Sequence, residues 1–195
     1  MAGLRAPRLR RVLPKALDLG VLRRVMASAM TRRDKALLTL LADTGIRVGE
    51  AYGLTWADVS VESSTIHVDG KTGGRDVPVC ELTRWLLLGV DLPWRSARRG
   101  SPKGGRAPLT LNGLGQAVRR CLRRAGVAHG GPHVLRHTFG RLYIMNGGDV
   151  FSLQRIMGHS NLSTTKIYVD LDTADLVVQH RKFSPIVRLL EEAAG

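Results

Sequence analysis

The sequence predicts a mainly α-helical domain with a small antiparallel β-sheet, an α+β fold. Three observations carry this. Apolar residues recur at helical spacing behind residues suited to capping helices. Two short β-branched runs flank a single glycine-rich turn. No internal repeat divides the chain, and its 195 residues, 44% of them hydrophobic, suffice for one packed core.

Asp18 is placed to cap a helix running to about residue 29. Thr31 opens a second helix, with Leu37, Leu38, Leu40 and Leu41 on its buried side. Thr44-Gly45 ends or bends it, and a short helix follows near residues 48–54. Residues 64–68 and 76–79 read as strands around Asp69-Gly70-Lys71-Thr72-Gly73-Gly74-Arg75, whose glycine content suits a hairpin turn. Residues 82–90 read as a helix, and residues 93–108, rich in Arg, Gly, Ser and Pro, as an exposed loop. Asn112 is read as the cap of a helix in which Leu114, Val118 and Leu122 recur every four residues. Arg119, Arg120, Arg123 and Arg124 fall elsewhere on its circumference, so one face is apolar and the other cationic. After Gly130-Gly131-Pro132 the chain is again mostly helical, and Ser184-Pro185 starts a terminal helix to about residue 193. Residues 1–17, basic and carrying Pro7 and Pro14, read as a flexible arm or linker remnant.

Charge narrows the function. Lys and Arg number 30 against 16 Asp and Glu, a net charge of +14, with a pI of about 11.1. From residue 92 to 148 there is no acid, while Arg95, Arg98, Arg99, Lys103, Arg106, Arg119, Arg120, Arg123, Arg124, Arg136 and Arg141 are all present. A merely solvated surface intersperses both signs, so a polyanion, nucleic acid above all, is the expected partner. A membrane is the weaker rival: even the longest apolar runs, such as residues 85–88, are short, and no basic helix carries a clear aromatic face. The N-terminus lacks the apolar stretch of a signal peptide. Two cysteines, Cys80 and Cys121, make neither a disulfide framework nor a zinc site, so a reducing cytoplasm or nucleoid is the expected setting.

Six residues could carry chemistry. Arg47, three before Glu50, reads either as half of a surface ion pair or as a guanidinium steadied by a carboxylate and aimed at phosphate; taken alone, the surface pair is the simpler reading. His133 and Arg136 share a helix face at a helix start, where backbone N–H groups favour an anion. His133 and His137 have the spacing of a zinc helix, but that motif needs Glu where Val134 stands, and His137 reads as a packed histidine. Gly158-His159-Ser160-Asn161 presents a histidine on a turn. Tyr168 by itself reads as half-buried core, and Lys71 as a solvated loop lysine. Together they form a kit for phosphoryl transfer without a metal: guanidiniums neutralise the non-bridging oxygens and a tyrosine attacks phosphorus.

These residues lie in recognisable signatures. Thr44-Gly-Ile-Arg47-Val-Gly-Glu50-Ala-Tyr-Gly-Leu-Thr-Trp56-Ala-Asp58-Val resembles the first signature of the tyrosine recombinases, the phage integrase family. His133-Val-Leu-Arg136-His137-Thr-Phe139 resembles the second, and the stretch from Leu153 through Gly158-His159 to Tyr168 the third. The hairpin Gly70-Lys71-Thr72-Gly73-Gly74-Arg75-Asp76-Val77-Pro78 looks like the family's β-turn bearing the catalytic lysine. The resemblance runs from about residue 18 to the end. It implies the tyrosine-recombinase catalytic-domain fold over residues 18–195 and a DNA strand transferase that needs no metal, ATP or other cofactor.

By resemblance, Tyr168 is the nucleophile, giving a 3′-phosphotyrosyl link and a free 5′-hydroxyl. Arg47 and Arg136 bind the phosphate, Lys71 protonates the leaving oxygen, and His133 is the acid/base partner of the tyrosine. His159 donates to the phosphate, and Glu50 steadies the site from behind. The arginine-rich set, Arg95, Arg98, Arg99, Lys103, Arg106, Arg119, Arg120, Arg123 and Arg124, is expected to hold double-stranded DNA. The resemblance further implies integration or excision of phage or mobile DNA in a bacterial host, a tetramer assembled on DNA with the helix near 184–193 docking on a neighbour, and accessory DNA-bending proteins. Family members normally carry a core-binding domain of roughly a hundred residues ahead of the catalytic one. Arg47 comes too early to leave room for it, so the chain is expected to be a catalytic-domain fragment, the alternative being a single-domain member with a basic arm. Rival functions are DNA relaxation of the type IB topoisomerase kind and non-catalytic DNA binding.

Overall fold

The computed structural model describes residues 16–70, 73–90, 92, 94, 109–159, 177 and 180. The expectations for the arm before residue 16, for Lys71, for Arg95, Arg98, Arg99, Lys103 and Arg106, for Tyr168 and for the terminal helix lie outside these residues.

Seven helices are formed among the described residues: α1 (Leu19–Ala27), α2 (Arg32–Thr44), α3 (Val48–Gly53), α4 (Glu81–Leu88), α5 (Leu111–Arg124), α6 (Pro132–Met145) and α7 (Val150–Met157). Their starts follow from local chemistry. The side chains of Asp18, Thr31 and Asp149 each accept a backbone N–H of the first turn they precede. The α5 cap differs from expectation. Thr110, not Asn112, accepts the N–H of Gly113, because the helix opens at Leu111 and leaves Asn112 inside the first turn.

The sheet has three antiparallel strands, β1 (Val59–Ser60), β2 (Thr65–Gly70) and β3 (Gly73–Pro78), in that order. β2 and β3 pair from Thr65 opposite Pro78 to Gly70 opposite Gly73: a hairpin forms as expected, but the ladder extends into residues 69–75, read as its turn, so Asp69, Gly70, Gly73, Gly74 and Arg75 are strand residues. Ile66, Val68 and Val77 face the core, while His67 and Asp76 pair on the open face through Nδ1 and Oδ1 at 2.7 Å. β1 was not expected. Two residues carry no local strand signal, and this strand exists because Val59 and Ser60 pair with Ile66 and Thr65.

α2 is the central element and packs against α6, α4, α3 and α5. Its Leu37, Leu38, Leu40 and Leu41 are fully buried, each contributing about 2 kcal/mol of apolar burial. Two residues at the edges of segments read as loose are packed. Leu17 is buried and its N–H donates to Thr138 Oγ1 at 2.9 Å, so packing begins before residue 18. Trp94, at the start of the loop read as exposed, is buried and donates its indole N–H to the Ala51 carbonyl at 2.8 Å. No helix among the described residues is long and apolar enough to cross a membrane.

Candidate active site

The site forms where the ends of α2, α6 and α7 meet α3 and β3. α2 stops at Gly45, which adopts φ +62° as its C-cap, so the chain turns sharply and delivers Arg47 to the start of α3. One turn later Glu50 points inward and is 9% exposed. Its Oε2 accepts the Arg47 backbone N–H at 2.7 Å, and its Oε1 accepts Arg47 Nη1 at 3.1 Å. The surface-pair reading is thereby corrected: the carboxylate is buried, while the Arg47 side chain stays 42% exposed.

A second arginine shares this carboxylate. Arg75 Nη1 and Nη2 donate to Oε1 and Oε2 of Glu50, both at 3.1 Å, and its Nε–H donates to the Ile156 carbonyl at 2.8 Å. Burial alone would raise the Glu50 pKa, but hydrogen bonds from Arg75 and the Arg47 backbone, with both positive charges, hold it below the ordinary value. Sequence reasoning assigned Arg75 no role; an Arg near a hairpin turn looks like any solvated strand residue.

Arg136 comes from α6, one turn after the exposed His133, and is 6% exposed. Its Nη1 donates to the Gly45 carbonyl at 2.5 Å, and its Nη2 to the Met157 carbonyl at 2.8 Å. Nη2 also lies 2.7 Å from His159 Nε2. Arginine only donates, so Nε2 accepts and the imidazole proton sits on Nδ1. α7 ends at Gly158, φ +64°, and the backbone of His159 is held by Gln154. A Cβ at Gly158 would lie 2.7 Å from Arg75 Cζ, so any side chain there would displace the Arg75 guanidinium.

Arg47, Arg75, Arg136 and His159 therefore form one electropositive cluster around buried Glu50. Burial first, then the charges of Arg136, Arg47 and Arg75 with His137, push the His159 pKa down to about 4. His137 is also lowered, by burial and by His133 and Arg136. Both histidines are thus neutral near pH 7. As pH falls, the unfolded chain takes up these protons first. Their stability contribution is whole above about pH 7 and is lost progressively towards about pH 4. Melting the wild type and His159→Asn at about pH 7 and about pH 4.5 should show the larger acid loss in the wild type; equal losses would contradict this electrostatic picture.

Of the expected site residues, Arg47, Glu50, Arg136 and His159 come together, and His133 is exposed on α6, one turn before Arg136. Arg119, Arg120, Arg123 and Arg124 are exposed on α5, away from its buried Leu114, Val118 and Leu122. Among the described residues no cluster of His, Cys, Asp and Glu could hold a metal ion.

Comparison with known proteins gives a consistent picture. The model of the phage integrase family matches residues 15–86 and 97–175. The chain is 33% identical over 185 residues to tyrosine recombinase XerC of Xylella fastidiosa (strain 9a5c), covering 88% of this chain and 61% of that protein. It is 31% identical over 180 residues to tyrosine recombinase XerA of Pyrococcus horikoshii, covering 89% of this chain and 62% of that protein. Among solved structures, a XerA recombinase superposes with a TM-score of 0.73 at 28% identity, over 93% of this chain and 67% of that one. XerH recombinase in a pre-cleavage complex with its difH substrate gives 0.67 at 26% identity, over 88% and 55%. The chain thus spans less than two thirds of the length of these two curated relatives.

Proposed function

The chain belongs to the phage integrase family, and from that premise we propose that it is the catalytic domain of a tyrosine-type site-specific DNA recombinase. The observation that carries this is the convergence of Arg47, Arg136 and a neutral His159, residues from three separate signatures, in one electropositive cluster. Such a cluster suits a phosphodiester: guanidiniums meet its non-bridging oxygens, and the imidazole Nδ1–H is a further donor.

In the proposed reaction the Tyr168 hydroxyl attacks phosphorus and loses its proton to His133. The bond to the 5′ oxygen breaks, and that oxygen takes a proton from Lys71. The products are a 3′-phosphotyrosine and a 5′-hydroxyl. A phenol of pKa ≈ 10 needs a base or a strong positive field to attack near neutral pH, and the arginine cluster supplies the field. One phosphodiester is exchanged for another, so no ATP is consumed, and the guanidiniums take the place that metal ions hold in other phosphoryl transfers.

Double-stranded DNA is the proposed partner. The α5 arginines and the basic residues from Arg95 to Arg106 would hold the duplex by its phosphates, with those of residues 1–17, while the cluster at Arg136 acts on one phosphate. We further propose that residues 18–195 are the catalytic portion of a longer protein with a core-binding domain, and that protomers assemble as a tetramer on two sites. The chemistry is the same whether those sites belong to a phage, a mobile element or a chromosome.

A nicked suicide substrate carrying the cognate site tests the reading. A covalent protein–DNA adduct should form, persist in EDTA, and map to the peptide containing Tyr168. No adduct at a site the protein demonstrably binds would overturn it. Strand exchange between two duplexes separates recombination from simple relaxation.

A further inference from the structure

We propose that Arg75 is a positioning residue for strand cleavage, setting the Arg47 guanidinium against the scissile phosphate through Glu50; this rests on the recombinase reading above. A carboxylate offers about four acceptor positions. At Glu50, Oε1 takes Arg47 Nη1 and Arg75 Nη1, while Oε2 takes the Arg47 backbone N–H and Arg75 Nη2. Half of what orients this buried carboxylate is therefore Arg75, and the other half is the residue proposed to bind phosphate.

The fork is itself held. Arg75 Nε is fixed on the Ile156 carbonyl, and the guanidinium lies against Gly158, where even a methyl group would collide with it. The side chain is only 14% exposed, so Arg75 has little free surface with which to contact a phosphate directly. One planar group thus ties β3, the start of α3 and the end of α7 into a single frame, with Arg47 on one side and the His159 turn on the other. A lysine keeps the charge but cannot make the paired fork and the third bond at once.

A merely structural ion pair is the competing account, and a buried pair is weak support for stability. Substrate chemistry separates the two. Single-turnover cleavage by the whole chain is measured on a suicide phosphodiester and on its methylphosphonate analogue, in which one charged non-bridging oxygen becomes a methyl group. Arg75→Lys should slow phosphodiester cleavage about 10- to 100-fold, the scale of a misplaced catalytic group. On the methylphosphonate, with less charge to neutralise, the gap to wild type should shrink to a few-fold. The ratio of the two rates does not depend on how much protein is folded, so partial unfolding leaves the readout intact. Glu50→Gln should shift the ratio the same way, and Arg47→Ala combined with Arg75→Lys should be no slower than Arg47→Ala alone.

Wild-type phosphodiester rates in Arg75→Lys, equal slowing on both substrates, or multiplying effects in the double variant would each overturn the proposal while wild-type adduct formation leaves the recombinase reading standing. No adduct with the wild type would overturn both.

Discussion

Arg136→Ala is expected to lower the single-turnover rate of DNA cleavage by roughly 1,000-fold or more, with a much smaller change in DNA affinity. Removing one preorganised neutral donor from a site of developing charge costs about 100- to 1,000-fold, and here a whole guanidinium goes. A factor of 1,000 corresponds to about 4 kcal/mol of transition-state stabilisation. Affinity changes little because the exposed arginines on α5 would make most phosphate contacts. Stability should shift only moderately: the Gly45 and Met157 carbonyls lose a donor, but the desolvation cost of a buried cation disappears with it. Arg136→Lys should recover little, since one ammonium cannot span two carbonyls and the imidazole. Cleavage within ten-fold of wild type in Arg136→Ala would refute the role given to it.

Gly45→Ala is expected to destabilise the fold by about 2–4 kcal/mol. The left-handed conformation at φ +62° costs an L-residue about 1 kcal/mol. The new Cβ would collide with the Phe139 ring, and such overpacking costs a further ~1–3 kcal/mol. For a chain of this size, the melting temperature should fall by roughly 5–15 °C. The same change reaches the site, because the Gly45 carbonyl holds Arg136 and Phe139 lies one turn along α6 from it. Cleavage measured well below the new melting point should therefore be slower than wild type. A drop of under about 2 °C would show that the backbone tolerates a side chain here.

Much of the site could be read from the chain. Arg47, Glu50, Arg136 and His159 each sit within a few residues of a helix start or a glycine turn, and these local signals survive folding. Gly45 and Gly158 were legible too, since each ends a helix with φ above +60°. Arg75 was not legible. Its partners, Glu50 and Ile156, lie 25 and 81 positions away, and no periodicity links a strand arginine to a carbonyl at the end of a distant helix. Taken alone, the Arg47–Glu50 pair reads as exposed for the same reason: its spacing is visible in the chain, but the burial of Glu50 is not.

The sequence by itself determined the α+β class, the capped helices around Leu37 to Leu41, the hairpin, the cationic face of α5 and the family. The family is carried by signatures spread from Thr44 to Tyr168; the other features are encoded locally, by hydrogen bonds and side-chain periods that neighbouring residues satisfy among themselves. Only the tertiary structure decided the strand β1, the anchoring of Leu17 and Trp94, the sharing of Glu50 by two arginines, and the neutrality of His159. Each of these depends on groups far apart in the chain being taken from water together. Desolvation and paired charge then set what the residues do, and both exist only once the core has closed around them.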